Sequence, residues 1–447
     1  MATTISGTSI DLHELRFDKD GQVLSDVTLP GGTKQVFVFS HGWNNDANEA
    51  RNLYGAFFRN FEKIGEARFN LTKVEPFAVV GIFWPSKKFS EGLAVFGGAD
   101  PSGAASVEQR AEGENKVISK LEEMKGLFSS DADKKLLNEA IDLVGELNDK
   151  ATARAKFVEK MRSLLDPSAA DREDASTSFF QSEPDELMES LKLKIKSSTR
   201  QESTEEDAVS AALPAGSAQL ALDDVVAAEN VLSGFFNSAL NLLNYTTYFE
   251  MKTRAGTIGK KGVAPFIDRL PSSIEAIHLI GHSFGGRVVT AAAANSTTPR
   301  IRSMTLMQAA FSHNGFSKKK NGFFRAVVEH KRVNGPILIT HSILDRAVGV
   351  AYPLASRINQ DDRLALGDKN DPFGAIGRNG AQQMEDTEVD ALETMLRPAT
   401  DTQPYKFKQP LIFNLNGDTL ITNHGDVTNE AIVFAVLSAV APLKSEE

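Results

Sequence analysis

The chain has 447 residues, 41% of them apolar, and a net charge of −10, enough for a large core in one domain with an insertion or in two to three domains. The acidity is local: residues 91–230 hold 29 acidic and 16 basic side chains, a balance of −13, against 30 and 33 in the remainder. Neither part has the basic face that nucleic-acid binding needs, and the lack of any cysteine excludes disulfides, thiol catalysis and zinc–thiolate sites.

In chain order, residues 1–10 are polar and lack the charged-then-apolar layout of a signal peptide. Residues 10–17 alternate apolar and polar with period two, which predicts a strand with His13 on its solvent side, closed by a turn at Asp18-Lys19-Asp20-Gly21. Residues 35–40 form a near-continuous apolar run, the pattern of a strand covered on both faces. His41-Gly42-Trp43-Asn44-Asn45 follows, then a helical stripe over residues 46–61 through Ala50, Leu53, Tyr54, Phe57, Phe58 and Phe61. A second buried strand, residues 77–84, ends in Pro85-Ser86. Strand, helix, strand with apolar strands predicts a βαβ unit and a parallel sheet.

Residues 87–230 break the pattern. Leu137, Ala140, Ile141, Val144 and Leu147 make one helical stripe. Phe157, Val158, Met161, Leu164 and Leu165 make another, stopped at Asp166-Pro167. The tract at 197–207, rich in Ser, Thr and Glu, is expected to be mobile. This predicts an acidic helical insertion (87–230) between two parts of an α/β core (1–86 and 231–447). Helix resumes over 221–254; its apolar part, 231–249, is interrupted by Gly234, Asn237, Asn241 and Asn244. That part reads as an amphipathic buried helix, not a membrane span. Together with the N-terminus it predicts a cytoplasmic protein without stable membrane insertion, signal-independent export being left open. A loop and a short helix at 265–270 lead to the next strand.

Residues 276–280 are β-branched and apolar and run straight into Gly281-His282-Ser283-Phe284-Gly285, with a helix-compatible stretch at 287–295 behind. Strand, Gly-x-Ser-x-Gly, helix is the context of a nucleophile elbow, in which the two glycines remove side chains that would collide in a very tight turn. Further strands are expected at 304–307, 336–341 and 411–415, a loop-rich stretch at 357–405, and a closing helix at 429–440.

A serine hydroxyl needs a base, and the base needs an orienting carboxylate. Asp345 follows the second strand after the elbow, and His424 sits in the loop after the last strand. The order Ser, Asp, His at successive strand ends makes Ser283, Asp345 and His424 the candidate triad. His313 is the rival base and Asp418 the rival acid, while Asp426 stands too near His424 in sequence to reach its ring well. His278 reads as core. An oxyanion needs two fixed N–H donors; the candidates are the backbone amides of Phe284 and Trp43. His41, Gly42, Phe83, His282 and Phe311 are candidate substrate contacts. Asn44 and Asn45 suit either holding the loop or capping the helix behind it. No carboxylate loop has metal-ligand spacing, and neither metal nor cofactor is expected.

His41-Gly42-Trp43, Phe83-Trp84-Pro85-Ser86, Gly281-His282-Ser283-Phe284-Gly285-Gly286, Asp345 and His424 together resemble the α/β-hydrolase superfamily of serine esterases and lipases, over about two-thirds of the chain. The resemblance implies an α/β-hydrolase fold with a mostly parallel, eight-strand-type sheet, helices on both faces, and acyl-enzyme chemistry through Ser283. Lids in such enzymes commonly enter after a later strand, so the insertion departs from the pattern. The expected function is hydrolysis of a small acyl ester. The same triad serves thioesters, amides and phospholipids, since pocket shape selects the leaving group. A non-catalytic scaffold with the acidic insertion as its binding surface is the competing class, and the presence of all three triad members argues against it. Acyl chain length and oligomeric state are not written in these motifs.

Overall fold

The computed structural model describes residues 2–69, 76–86, 107–171, 176–192, 234–345, 369, 373–390, 394–401, 403–407 and 411–440. Its centre is a sheet of nine described strands: β1 (Ala2–Thr4), β2 (Asp11–Arg16), β3 (Gln35–Ser40), β4 (Phe77–Phe83), β5 (Ala276–His282), β6 (Ile301–Met307), β7 (Ile337–His341), β8 (Thr394–Met395) and β9 (Ile412–Asn416). Their order is β1-β2-β4-β3-β5-β6-β7-β9-β8; β1 is antiparallel to β2 and every other pair is parallel. Register aligns Ser40 with Gly281, so the carboxyl end of β3 lies beside the elbow.

Alternate residues of the central strands feed two cores. Phe37, Phe39 and Val79 face α1 (Ala47–Arg68) and α12 (Glu430–Val440), whereas Val36, Val38 and Val80 face the opposite helical layer. On the α1 side, Phe37 meets Phe61 and Phe39 meets Phe57 edge-on, each pair 5.2 Å between ring centres. Each ring buried there contributes roughly 1.5–3 kcal/mol. Asp46 caps α1 in a capping box with Glu49, which sharpens its start; the helix runs to Arg68, seven residues beyond the expected stop.

The other layer holds α7 (Phe235–Thr257) and α9 (Phe284–Asn295), with α8 (Ala264–Asp268) between them. The insertion contributes α2 (Val107–Met124), α3 (Asp131–Ile141), α4 (Ala151–Ser163), α5 (Ser176–Gln181) and α6 (Pro184–Ser190). Both of its apolar stripes are buried, Ile141 only in part, in one continuous cluster that reaches through α7 to β3 and β4. The tract 197–207 and the start of the expected helix, 221–233, lie outside the described residues.

Three expectations are corrected. His13 is buried, because β2 is covered on both faces from Leu12 to Leu15 and has no solvent side there. The helix α7 is buried on nearly all sides and is not amphipathic, since the insertion helices cover the face turned away from α9. Its polar residues have partners within the protein: Asn241 donates to the Leu191 carbonyl at 2.9 Å, and the hydroxyls of Thr246 and Thr247 bond back to Leu242 and Leu243. Finally, the loop expected after residue 256 is a π-helical turn, Ile258–Val263, that carries α7 into α8. Gly259 is needed there for close approach, since a Cβ on it would fall 2.3 Å from the Val288 carbonyl oxygen of α9.

Candidate active site

Ser283 ends β5 and caps α9 with φ 54° and ψ −124°, a conformation that L-residues avoid. The crowding that fixes it is severe. A Cβ on Gly281 would lie 2.4 Å from the Gly285 carbonyl oxygen, and one on Gly285 would lie 2.1 Å from that of Ser40. The Ser283 amide is held by the Met307 carbonyl at 3.1 Å and its carbonyl accepts from Ala310 at 3.0 Å, so the turn is clamped to the end of β6.

The loops after β7 and β9, neighbours in the sheet, bring Asp345 and His424 together. Nδ1 of His424 lies 2.8 Å from Oδ2 of Asp345, whose side chain is completely buried. A buried carboxylate on Nδ1 fixes the tautomer, leaving Nε2 as the basic atom, and stabilises an imidazolium when one forms. The His424 ring lies 4.8 Å from that of His282, the residue before Ser283. The Ser283 hydroxyl makes no hydrogen bond to His424 among the described residues; contacts of this kind commonly close when substrate binds.

The rivals are engaged elsewhere. His313 is buried, with Nδ1 at 3.0 Å from Nδ2 of Asn379. Asp418 accepts the Ile343 amide at 2.8 Å, so it supports the Asp345 loop and is not paired with His424. Asp426 accepts the amide and the hydroxyl of Thr422, closing the His424 loop on itself. From the other side Arg378 donates to the carbonyls of Ile343 and Asp345, a support that no motif in the chain signals.

The loop after β3 presses against the elbow. A Cβ on Gly42 would lie 2.7 Å from Cβ of Ser283, and the Trp43 ring meets that of Phe284 edge-on at 6.0 Å. Asn45 holds this loop by donating to the Trp43 carbonyl at 3.0 Å, Asn44 takes a positive φ of 60°, and capping falls to Asp46. His41 stacks on Trp84 with ring centres 5.6 Å apart and donates from Nδ1 to the Gly42 carbonyl at 2.9 Å. Full burial lowers its pKa to about 4, so it is neutral. The Tyr54 hydroxyl accepts the His41 amide at 2.9 Å and donates to the Ile82 carbonyl at 2.6 Å; burial raises its pKa well above the usual value.

Of the five expected substrate contacts, Gly42 abuts Ser283, and the other four are placed differently. His41 shapes the loop after β3. Phe83 is enclosed by Tyr54 and the guanidinium groups of Arg16 and Arg51. Phe311 is 1% exposed, packed on Phe316 and Phe324. His282 is buried, with Nε2 at 3.0 Å from the His424 carbonyl oxygen. All four are buried, as Ser283 itself is at 6% exposure. His278 and His282 have i, i+4 spacing but stand on a strand, and His278 bonds Ser303 and Gln35. Among the described residues no group of three or more His, Asp or Glu is arranged to hold a metal, and no helix is long and apolar enough to cross a membrane.

A family model described as alpha/beta hydrolase fold matches residues 263–330, the segment running from the π-helical turn through the elbow and past β6. No curated protein and no solved structure gives a match.

Proposed function

We propose that this chain, which has the α/β-hydrolase fold and matches a family model of that description over residues 263–330, cleaves carboxylic esters through an acyl-enzyme intermediate on Ser283. The observation that carries this reading is the 2.8 Å contact between His424 and the fully buried Asp345, at the same carboxyl end of the parallel strands as a serine in a strained elbow. In the first half-reaction Nε2 of His424 accepts the Ser283 proton as Oγ attacks the acyl carbon. The backbone amides of Phe284 and Trp43 receive the negative charge on the carbonyl oxygen; fixed donors need no reorganisation in the transition state, and losing one commonly costs about 10²–10³ in kcat. The imidazolium then protonates the leaving alcohol. A water molecule, deprotonated by the same nitrogen, releases the acid and restores the serine. Asp345 stays ionised and holds the ring in place. The reading requires a small acyl substrate and no cofactor.

Labelling with a fluorophosphonate probe followed by peptide mapping tests it. The expected result is one adduct on Ser283 that is lost in Ser283→Ala and slowed by several orders of magnitude in His424→Ala. Ester turnover that persisted in Ser283→Ala would overturn the reading. A panel of alkyl esters, acyl-CoA thioesters, amides and phospholipids would then rank the leaving groups.

A further inference from the structure

His282 stands directly before the nucleophile, yet its ring is buried. Its Nε2 lies 3.0 Å from the carbonyl oxygen of His424, and since a carbonyl only accepts, Nε2 carries the proton. Nδ1 is therefore the bare nitrogen, and it is buried without a partner against the Gly42 backbone, where a Cβ would come within 3.3 Å of it. A second proton would place an uncompensated charge in that site, beside His424 and His41. Burial first, and then His424, hold the His282 pKa well below the usual value.

Apart from the His424–Asp345 contact, the loop carrying His424 is otherwise bonded to itself. Thr422 bonds Asp426, the Gly425 amide bonds the Asn423 side chain, and the Asp426 amide bonds the Asn423 carbonyl. Among the described residues the His282 bond is the one hydrogen bond joining 422–427 to β5. Without it the base would be located relative to Asp345 but not relative to Ser283.

We propose that His282 is a positioning residue: its neutral Nε2–H donor fixes the His424 main chain, so that one imidazole meets Asp345 with Nδ1 and faces Ser283 with Nε2. The motif residue before the serine thereby ties base to nucleophile through the backbone. This rests on the serine-hydrolase reading above.

Three variants separate the donor from the ring. His282→Gln keeps an N–H donor at about the reach of Nε2. His282→Phe keeps the ring packing but removes the donor, and His282→Leu substitutes for it if the Phe protein does not fold. With a turned-over ester, His282→Phe should lower kcat by about 10–100-fold, the scale of an ångström-sized misplacement, with KM nearly unchanged; His282→Gln should recover most of it. The second readout is independent of turnover: the downfield proton resonance of the His424 imidazole on Asp345, expected in wild type and His282→Gln and broadened away in His282→Phe. Wild-type kcat in His282→Phe, or a His282→Gln protein as impaired as His282→Phe, would overturn the proposal. If wild type neither labels nor turns over, the serine-hydrolase reading has failed by itself. The resonance then decides alone: loss in Phe with retention in Gln supports positioning, and an unchanged resonance in Phe overturns it.

Discussion

Ser283 is held at φ 54°, a torsion costing about 1–3 kcal/mol in a non-glycine residue and sustained here by clamps on both sides. Strain of this kind gives a prediction that contact loss would not. Ser283→Gly should melt at a higher temperature than Ser283→Ala, because glycine relieves the torsion and alanine keeps it, although both remove the hydroxyl. Equal melting temperatures would mean that the turn stores no strain. Conversely, Gly285→Ala forces a Cβ to 2.1 Å from the Ser40 oxygen, so β3 and the elbow must separate. Fluorophosphonate labelling should become undetectable, with a fall in the urea midpoint; normal labelling in a folded Gly285→Ala protein would refute the geometry. At this scale a local motif and chain order were enough to nominate Ser283, Asp345 and His424, of which the structure brings the last two into contact. The choice between Asp345 and Asp418, or His424 and His313, was not legible in the sequence. It turns on where loops reach, and only the Ile343 and Asn379 contacts show the rivals occupied. The four aromatic and histidine side chains read as substrate contacts are buried, and spacing alone does not say which face of the sheet a residue near a strand end points into.

Between elements, the insertion and the nucleophile helix meet at one charged node. Asp171, in the turn after α4, lies 3.0 Å from Nζ of Lys252 in α7 and 3.9 Å from the guanidinium of Arg287 in α9, and the Arg287 Nε–H donates to the Lys252 carbonyl. The Lys252 and Arg287 side chains are nearly inaccessible, so removing the Asp171 carboxylate takes a counter-charge away from two buried cations. Breaking a buried pair this way typically costs about 3–5 kcal/mol, while replacing both partners by apolar groups is often close to neutral. Asp171→Asn should therefore lower the urea midpoint sharply, and Asp171→Leu combined with Lys252→Met should recover much of the loss. A double variant as unstable as the single one would show that the charges are not the link. Aromatic contacts run along the same path, from Phe179 to Tyr245 at 4.9 Å and from Tyr248 to Phe284 at 5.6 Å. The helical stripes of the insertion were legible because burial imposes a 3.6-residue period. The continuity of α7 into α8 was not: Gly256, Gly259 and Gly262 read as loop punctuation, whereas Gly259 marks the place where α9 packs backbone against backbone.

For the molecule as a whole, the strand periods, the βαβ order and the elbow together specified the parallel sheet. What they left out is how completely two helical layers bury the sheet's polar residues, and that burial sets the acid stability. His41 and His278 have their pKa values lowered from 6.5 to about 4 and about 3, in each case chiefly by burial, and His13 and His282 move the same way. A histidine kept neutral in the fold but free to protonate when unfolded adds nothing above pH 6.5. Below that the unfolded chain binds the proton first, and stability falls until the folded pKa is reached. At 1.36 kcal/mol per pKa unit, His41 and His278 each cost about 2 kcal/mol by pH 5, a large share of the roughly 5–15 kcal/mol by which a domain is stable. The carboxylates with lowered pKa values, such as Glu14 beside Arg51 and Glu388 beside Arg325, act in a different window. Their contribution is intact above the unfolded carboxylate range and is lost only as the pH drops through their folded values. Urea unfolding at pH 7, 6, 5 and 4 should therefore show a decline beginning near pH 6.5, above the range in which Glu14 and Glu388, with their lowered pKa values, titrate. The control is His278→Asn, which loses stability at pH 7 through its weakened bonds to Ser303 and Gln35. Between pH 7 and pH 5 it should decline less than wild type by about 2 kcal/mol; an identical slope would assign the acid sensitivity to the carboxylates instead.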